Sequence, residues 1–93
     1  MGKFRVIVSA SAKKDLLHIQ KFGDKASIKK VEQIISELYI HPETGVGKPE
    51  RLKFDLTGYW SRRINKKDRL IYFIEDEIVT VTVVSAIGHY TDK

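Results

Sequence analysis

The chain contains no cysteine, so it has neither a disulfide framework nor a thiolate zinc site, and a cysteine nucleophile is excluded. No apolar run approaches the roughly 20 residues that a membrane-crossing helix needs. The N-terminal MGKFRVIVSAS has too short an apolar stretch for a secretory signal. Histidine is sparse: His18, His41 and His89 stand apart, without the paired spacings of metal-binding motifs. Repeats, low-complexity segments and linkers are missing too. These absences fit a small bacterial-type cytoplasmic protein whose 93 residues form one domain.

What the sequence does have is positive charge, and it is concentrated. Gly47–Arg69 holds eight of the 17 Lys and Arg residues and three of the 12 acids, which accounts for the whole net charge of +5. Lys48, Arg51, Lys53, Arg62, Arg63, Lys66, Lys67 and Arg69 are interleaved there with Phe54, Tyr59 and Trp60. Cations beside aromatics suit a nucleic-acid strand, whose phosphates need neutralising and whose bases stack. A solvated basic face with its aromatics turned into a core fits the same composition. The sequence pI near 9.5 in so small a domain favours a polyanionic partner.

The hydrophobic pattern gives the order of elements. Lys3–Val8 alternates and reads as a strand. Ser9 or Ser11 caps a helix with Ala12, Leu16, Ile19 and Phe22 on its apolar stripe, and Gly23 is expected to end it in the left-handed conformation. Asp24 caps a second helix with Ile28, Val31, Ile35 and Leu38 inward, and His41-Pro42 stops it. The two helices should form a hairpin packed on a sheet. Glu43–Pro49 reads as a loop, Glu50–Lys53 as a short extended piece and Asp55–Gly58 as a turn. Tyr59–Ile64, Arg69–Ile74 and Ile78–Ser85 follow as strands on short connections.

The result is an α+β class: an N-terminal strand, a helical hairpin, then an antiparallel meander with the helices on one face. In the last strand Val79, Val81 and Val83 alternate with Thr80, Thr82 and Val84, apolar enough for a central position. Trp60, Arg62 and Ile64 share one face, and Trp60 and Ile64 suit the helix-covered side; Arg63 then falls on the open side with Tyr59 and Ser61.

Individual residues carry less. Ser-His-Asp sets can be assembled on paper, but no spacing supports one. Glu75-Asp76-Glu77 sits in a turn, where solvated charge is the usual state. His18 and His41 read as structural or surface residues. His89 follows the permissive Gly88 and precedes Tyr90; histidine is the residue type whose unperturbed pKa lies close to neutrality, which suits proton transfer, yet taken alone this is a histidine at a chain end.

Four ordered runs add specificity: Gly47-Lys48-Pro49-Glu50, Leu56-Thr57-Gly58-Tyr59-Trp60-Ser61-Arg62-Arg63-Ile64, Asp68-Arg69-Leu70-Ile71-Tyr72, and His89-Tyr90. Together they resemble the YoeB/Txe branch of the RelE-like bacterial toxins, over almost the full length. The resemblance implies a RelE-like microbial RNase fold. It also implies a type II toxin-antitoxin toxin that acts as an mRNA interferase: a metal-independent endoribonuclease cutting mRNA in the ribosomal A site, with no cofactor.

By that resemblance Glu50 falls at the general base, Arg69 at the phosphate-holding arginine, His89 at the general acid, Arg63 at a supporting arginine and Tyr90 at the terminal aromatic. The chemistry agrees. RNA cleaves itself when a base takes the 2′-hydroxyl proton, a cation steadies the pentacoordinate phosphate and an acid protonates the leaving 5′-oxygen. Arginine keeps its charge and donates paired hydrogen bonds to phosphate. A carboxylate is a poor base in water; burial raises its pKa and neighbouring arginines lower it, and the sequence leaves both outcomes open. The implied partners are mRNA, the ribosome and a cognate acidic antitoxin of the YefM/Phd-like kind, in a hetero-oligomer or alongside a homodimer. Lys48, Arg51, Lys53, Arg62, Lys66 and Lys67 are the candidate RNA or ribosome contacts.

Two positions depart from the family pattern. Thr91-Asp92-Lys93 follows Tyr90 and moves the terminal carboxylate away, and Ile87 stands where a basic residue is common. Two other readings share the scaffold. One is a non-enzymatic toxin like the ParE branch, which acts on DNA gyrase. The other is a simple RNA-binding module with His89 idle.

Overall fold

A computed structural model of the chain describes residues 3–52 and 57–86. In order these form β1 (Arg5–Val8), α1 (Ala10–Phe22), α2 (Lys25–Leu38), β2 (Glu50–Arg51), β3 (Tyr59–Arg63), β4 (Asp68–Glu75) and β5 (Ile78–Ala86). The strands make one sheet in the order β1-β5-β4-β3-β2. The meander from β2 to β5 is antiparallel, and β1 lies parallel to β5 along its outer side. That parallel pair requires a crossover, and the helical hairpin supplies it.

The helices start and stop for local reasons. Ser9 caps α1: its Oγ accepts from Ala12 N at 3.1 Å and donates to Thr82 O at 2.8 Å. The cap residue thus also fastens the helix to β5, 73 residues away. Asp24 is the extended residue before α2, and the Ser27 hydroxyl holds its carboxyl below the usual carboxylate range. Gly23 does not take the left-handed conformation expected of it: its φ is −76°. Glycine is needed there for space, because a Cβ would lie 2.6 Å from the Ile19 carbonyl oxygen.

The core sits between the helices and one face of the sheet. Ala12, Ile19, Ile34 and Leu38 meet Ile64, Leu70, Tyr72, Val79 and Val81, with Trp60 packed against them. Phe22 is not part of it; the ring is 74% exposed and tilts against His18 at 5.0 Å. Steps of three residues advance about 300° around a helix, so a stripe extended by threes drifts off the buried face. Ile34 takes the inward place on α2, fully buried.

The simple alternation expected of β5 is broken. The register shifts between Ile71 and Tyr72: Tyr72 pairs with Val81, but Ile71 pairs with Val83. Thr82 is the extra residue, and its hydroxyl donates to Ile71 O at 3.3 Å. Beyond the bulge Val84 is opposite Leu70 and Ser85 is opposite Arg69. A bulge of this kind increases twist and re-aims the strand end. The far face of the sheet is not simply open either, since Ser61 and Ile71 are buried there.

Candidate active site

The loop from His41 to Pro49 delivers Glu50 to the edge of the sheet, and one side chain holds most of that loop. Arg62 is fully buried. Its Nη1 donates to Glu37 Oε1 at 2.6 Å and to Val46 O at 3.3 Å. Its Nη2 donates to His41 O at 2.9 Å and Thr44 O at 2.7 Å, and its Nε to Tyr72 Oη at 3.2 Å. All five N–H groups of the guanidinium are therefore spent. Tyr72 Oη in turn donates to Pro42 O at 2.6 Å, and burial pushes that phenol's pKa up. Arg62 was expected to face RNA or the ribosome. The structure corrects this: the residue shares the helix-covered face with Trp60 and Ile64, and a buried cation persists only when paired and hydrogen-bonded.

Next along the loop, Gly47 has φ +81° and accepts from Arg63 N at 2.8 Å. A Cβ there would lie 2.9 Å from Arg63 O, so glycine is what allows the loop to lie against β3. β2 then pairs with β3, Glu50 opposite Ser61 and Arg51 opposite Trp60. Alternation separates the two β2 side chains. Arg51 lies over the Trp60 ring, 5.4 Å from its centroid. Glu50 lies on the other face, away from the helices.

On that face the carboxylate meets an arginine from the first part of β4. Arg69 Nη1 is 3.9 Å from Glu50 Oε1. The arginine side chain is 18% exposed and the carboxylate 66%. Arg69 Nε is buried and has no hydrogen-bond partner among the described residues. Arg63 is exposed and directly opposite Arg69 in the β3–β4 ladder. Two like charges on paired positions are unfavourable unless something anionic sits between or above them. Ser61 Oγ, between the Glu50 and Ile71 positions, is also buried without a partner among the described residues.

The structure thus gathers Glu50, Arg63 and Arg69 on one face and leaves Lys48, Lys66 and Lys67 exposed around it. His89, Tyr90 and Lys53 lie outside the described residues, as do Ile87 and Thr91-Asp92-Lys93. Sequence reasoning missed Ser61 as a buried polar neighbour of the site. It also missed Lys30, on the polar side of α2, which reaches the same region only through the fold.

A five-stranded sheet backed by a helical hairpin is a fold shared with solved bacterial toxins of the YoeB type. Residues 8–90 match the family of YoeB-like toxins of bacterial type II toxin-antitoxin systems, and the chain belongs to that family. It is 42% identical over 76 residues to a toxin YoeB of Synechocystis, covering 82% of this chain and 85% of that one. Its structure is similar to a YoeB/ParE toxin from Agrobacterium tumefaciens, with a TM-score of 0.79 and 30% identity over 94% of this chain and all of the other. It is also similar to the toxin in a YoeB-YefM complex from Staphylococcus aureus, with a TM-score of 0.74, 34% identity and coverage of 94% and 98%.

Proposed function

We propose that this toxin is an endoribonuclease that cuts mRNA on the translating ribosome, in the bacterial cytoplasm, and so stops translation. The observation that carries the reading is the approach of Glu50 to Arg69 across two strand pairings. A carboxylate exposed to an incoming strand, beside a cation fixed in a sheet, is what attack by a 2′-hydroxyl on its own phosphate requires. Glu50 removes the hydroxyl proton, and Arg69 holds the phosphate and meets the charge that develops on it. The setting of Arg69 supports this role: its side chain is 18% exposed, and among the described residues its buried Nε has no acceptor. Arg63, one pairing away, steadies the phosphate from the side. By the family resemblance His89 donates the proton to the leaving 5′-oxygen and Tyr90 is the terminal aromatic of the site. No step calls for a metal or a cofactor.

Lys48, Lys66 and Lys67 are exposed cations left to meet message or ribosomal RNA, with Arg51 at the margin; Lys53 joins them by its place in the basic stretch alone. The antitoxin covers this basic face with an acidic segment; that a YoeB toxin is found in complex with YefM in Staphylococcus aureus supports a partner of this kind. The deciding experiment is a cleavage assay on message undergoing translation, with wild type beside Glu50→Ala and Arg69→Ala. Cleavage by wild type and its loss in both folded variants supports the enzyme. Growth arrest without any cleavage would point instead to a non-enzymatic toxin on the same scaffold.

A further inference from the structure

Beside the Glu50–Arg69 site a groove of about 440 Å³ runs between α2, the loop before β2 and the β3–β4 turn. Its walls bring together Lys30, Lys48, Arg63 and Lys66, and among the described residues no acid lines it. Among the described residues none of these four cations is in ion-pair range of a carboxylate. Four cations converging from three separate segments repel one another, an arrangement that favours an anion at their centre.

The groove is held in shape. Asn65 Nδ2 donates to Ser27 Oγ at 2.8 Å, which ties the β3–β4 turn to the first turn of α2. Lys30 lies one helical turn beyond Ser27 and Lys66 follows Asn65, so this single bond sets the two lysines on opposite walls. Asn65 Oδ1 also accepts from Lys67 N and Asp68 N, each at 2.7 Å, and stiffens the turn. On the third wall Lys48 has φ +52°. A lysine in the left-handed region is strained and persists only where its surroundings hold it there.

We infer that this groove binds a backbone phosphate of the RNA strand, the one next to the phosphate being cleaved. The reason is Arg63. It lines the groove and is also the cross-strand partner of Arg69, with Cα atoms about 5 Å apart in such a pair. A strand whose reacting phosphate lies at Arg69 therefore passes Arg63 and enters the groove. The inference rests on the nuclease reading for the position of the reacting phosphate, and it assigns Lys30, which lies outside the basic stretch, to the substrate path.

The test uses a single-stranded RNA hexamer with every 2′-hydroxyl methylated, which cannot be cleaved, so binding is read apart from catalysis. Its affinity is measured against salt concentration for wild type, for Lys30→Gln/Lys66→Gln and for a control pair, Lys13→Gln/Lys14→Gln, on exposed positions of α1. Circular dichroism checks that each protein is folded. Losing one phosphate contact should make the log–log slope shallower by about 0.7 in the groove variant and leave it unchanged in the control. A second arm measures co-sedimentation with ribosomes free of message. An unchanged hexamer slope overturns the proposal, as does an equal loss in the control or a wild type that does not bind the hexamer. An unchanged slope with co-sedimentation lost would assign the groove to ribosomal RNA instead. If the hexamer slope falls as expected but translated message is never cut, the groove stands and the nuclease reading fails.

Discussion

Arg62 donates to Glu37 across 25 residues, at 2.6 Å, with its guanidinium wholly buried. The pair joins the end of α2 to the middle of β3, and the loop that leads to Glu50 is wrapped around it. Removing the arginine leaves the Glu37 carboxylate, the Tyr72 hydroxyl and three loop carbonyls without their donor. Arg62→Ala should therefore destabilise the fold by about 3 kcal/mol or more, a large share of a small domain's total. Arg63→Ala, one residue away but exposed, should change stability by less than about 0.5 kcal/mol while lowering cleavage. Urea unfolding of the two proteins checks this, and a stable Arg62→Ala would restore that residue to the RNA-facing set.

The same pair gives a pH dependence. Burial raises the Glu37 pKa, but the hydrogen bonds from Arg62 and Val46 N and the nearby positive charge outweigh it, and the net shift is downward. A carboxylate whose folded pKa is below its unfolded value, about 4.3 for glutamate, contributes stability above that value. The contribution is lost as pH falls through the folded pKa. Glu37→Gln should thus be less stable than wild type at pH 7, and the difference should shrink on acidification. Denaturant titrations at neutral and acid pH measure it; a constant difference would mean that the carboxylate stays charged throughout or adds nothing by its charge.

Gly45 and Gly47 are expected to be sensitive for separate reasons. Both have φ above zero, at +124° and +81°. A Cβ at Gly45 would overlap Glu37 Oε1, the acceptor of the Arg62 bond. Gly45→Ala should accordingly lose stability by more than the 1 kcal/mol or so typical of backbone strain alone. A Cβ at Gly47 meets the Arg63 carbonyl and pushes the loop off β3, so Gly47→Ala should lose more cleavage than stability. Equal losses of the two in Gly47→Ala would mean that the loop does not position Glu50.

Within the reaction, the three assigned roles respond differently to the leaving group. Glu50→Ala should lose a factor of about 10² to 10⁴, the usual contribution of one placed proton-transfer group. His89→Gln should also be severe, yet a substrate with a 5′-thio leaving group should recover much of the rate, since a thiolate departs without a proton. Arg69→Ala should show no such recovery, because the missing charge is at the phosphorane. Equal rescue of the His89 and Arg69 variants would show the acid to be misassigned.

Product chemistry gives an independent check. Attack by the 2′-hydroxyl leaves a cyclic or 3′-phosphate and a 5′-hydroxyl, and it should survive EDTA as long as enough magnesium remains to hold the ribosomes together. Products carrying a 5′-phosphate would require water as the attacking group and would rule the mechanism out.

Much of this protein is legible in its sequence because the deciding interactions are local. Period-two and helical patterns, the Ser9 cap and the Pro42 stop are properties of a few neighbouring residues, and they place the strand, the hairpin and the meander near their observed bounds. The ordered motifs likewise mark Glu50 and Arg69, 19 positions apart, as partners. What the sequence by itself did not decide depends on residues distant in the chain. Charge concentrated in Gly47–Arg69 made Arg62 look like its neighbours, and only the packing of α2 onto β3 turned it inward to Glu37. The bulge at Thr82 has no periodic signal, since it arises from pairing with β4. Lys30 belongs to a basic groove only because Asn65 binds Ser27 across 38 residues. A side chain's charge is fixed by the residue itself, but whether it faces core, solvent or substrate is fixed by what the rest of the chain packs against it.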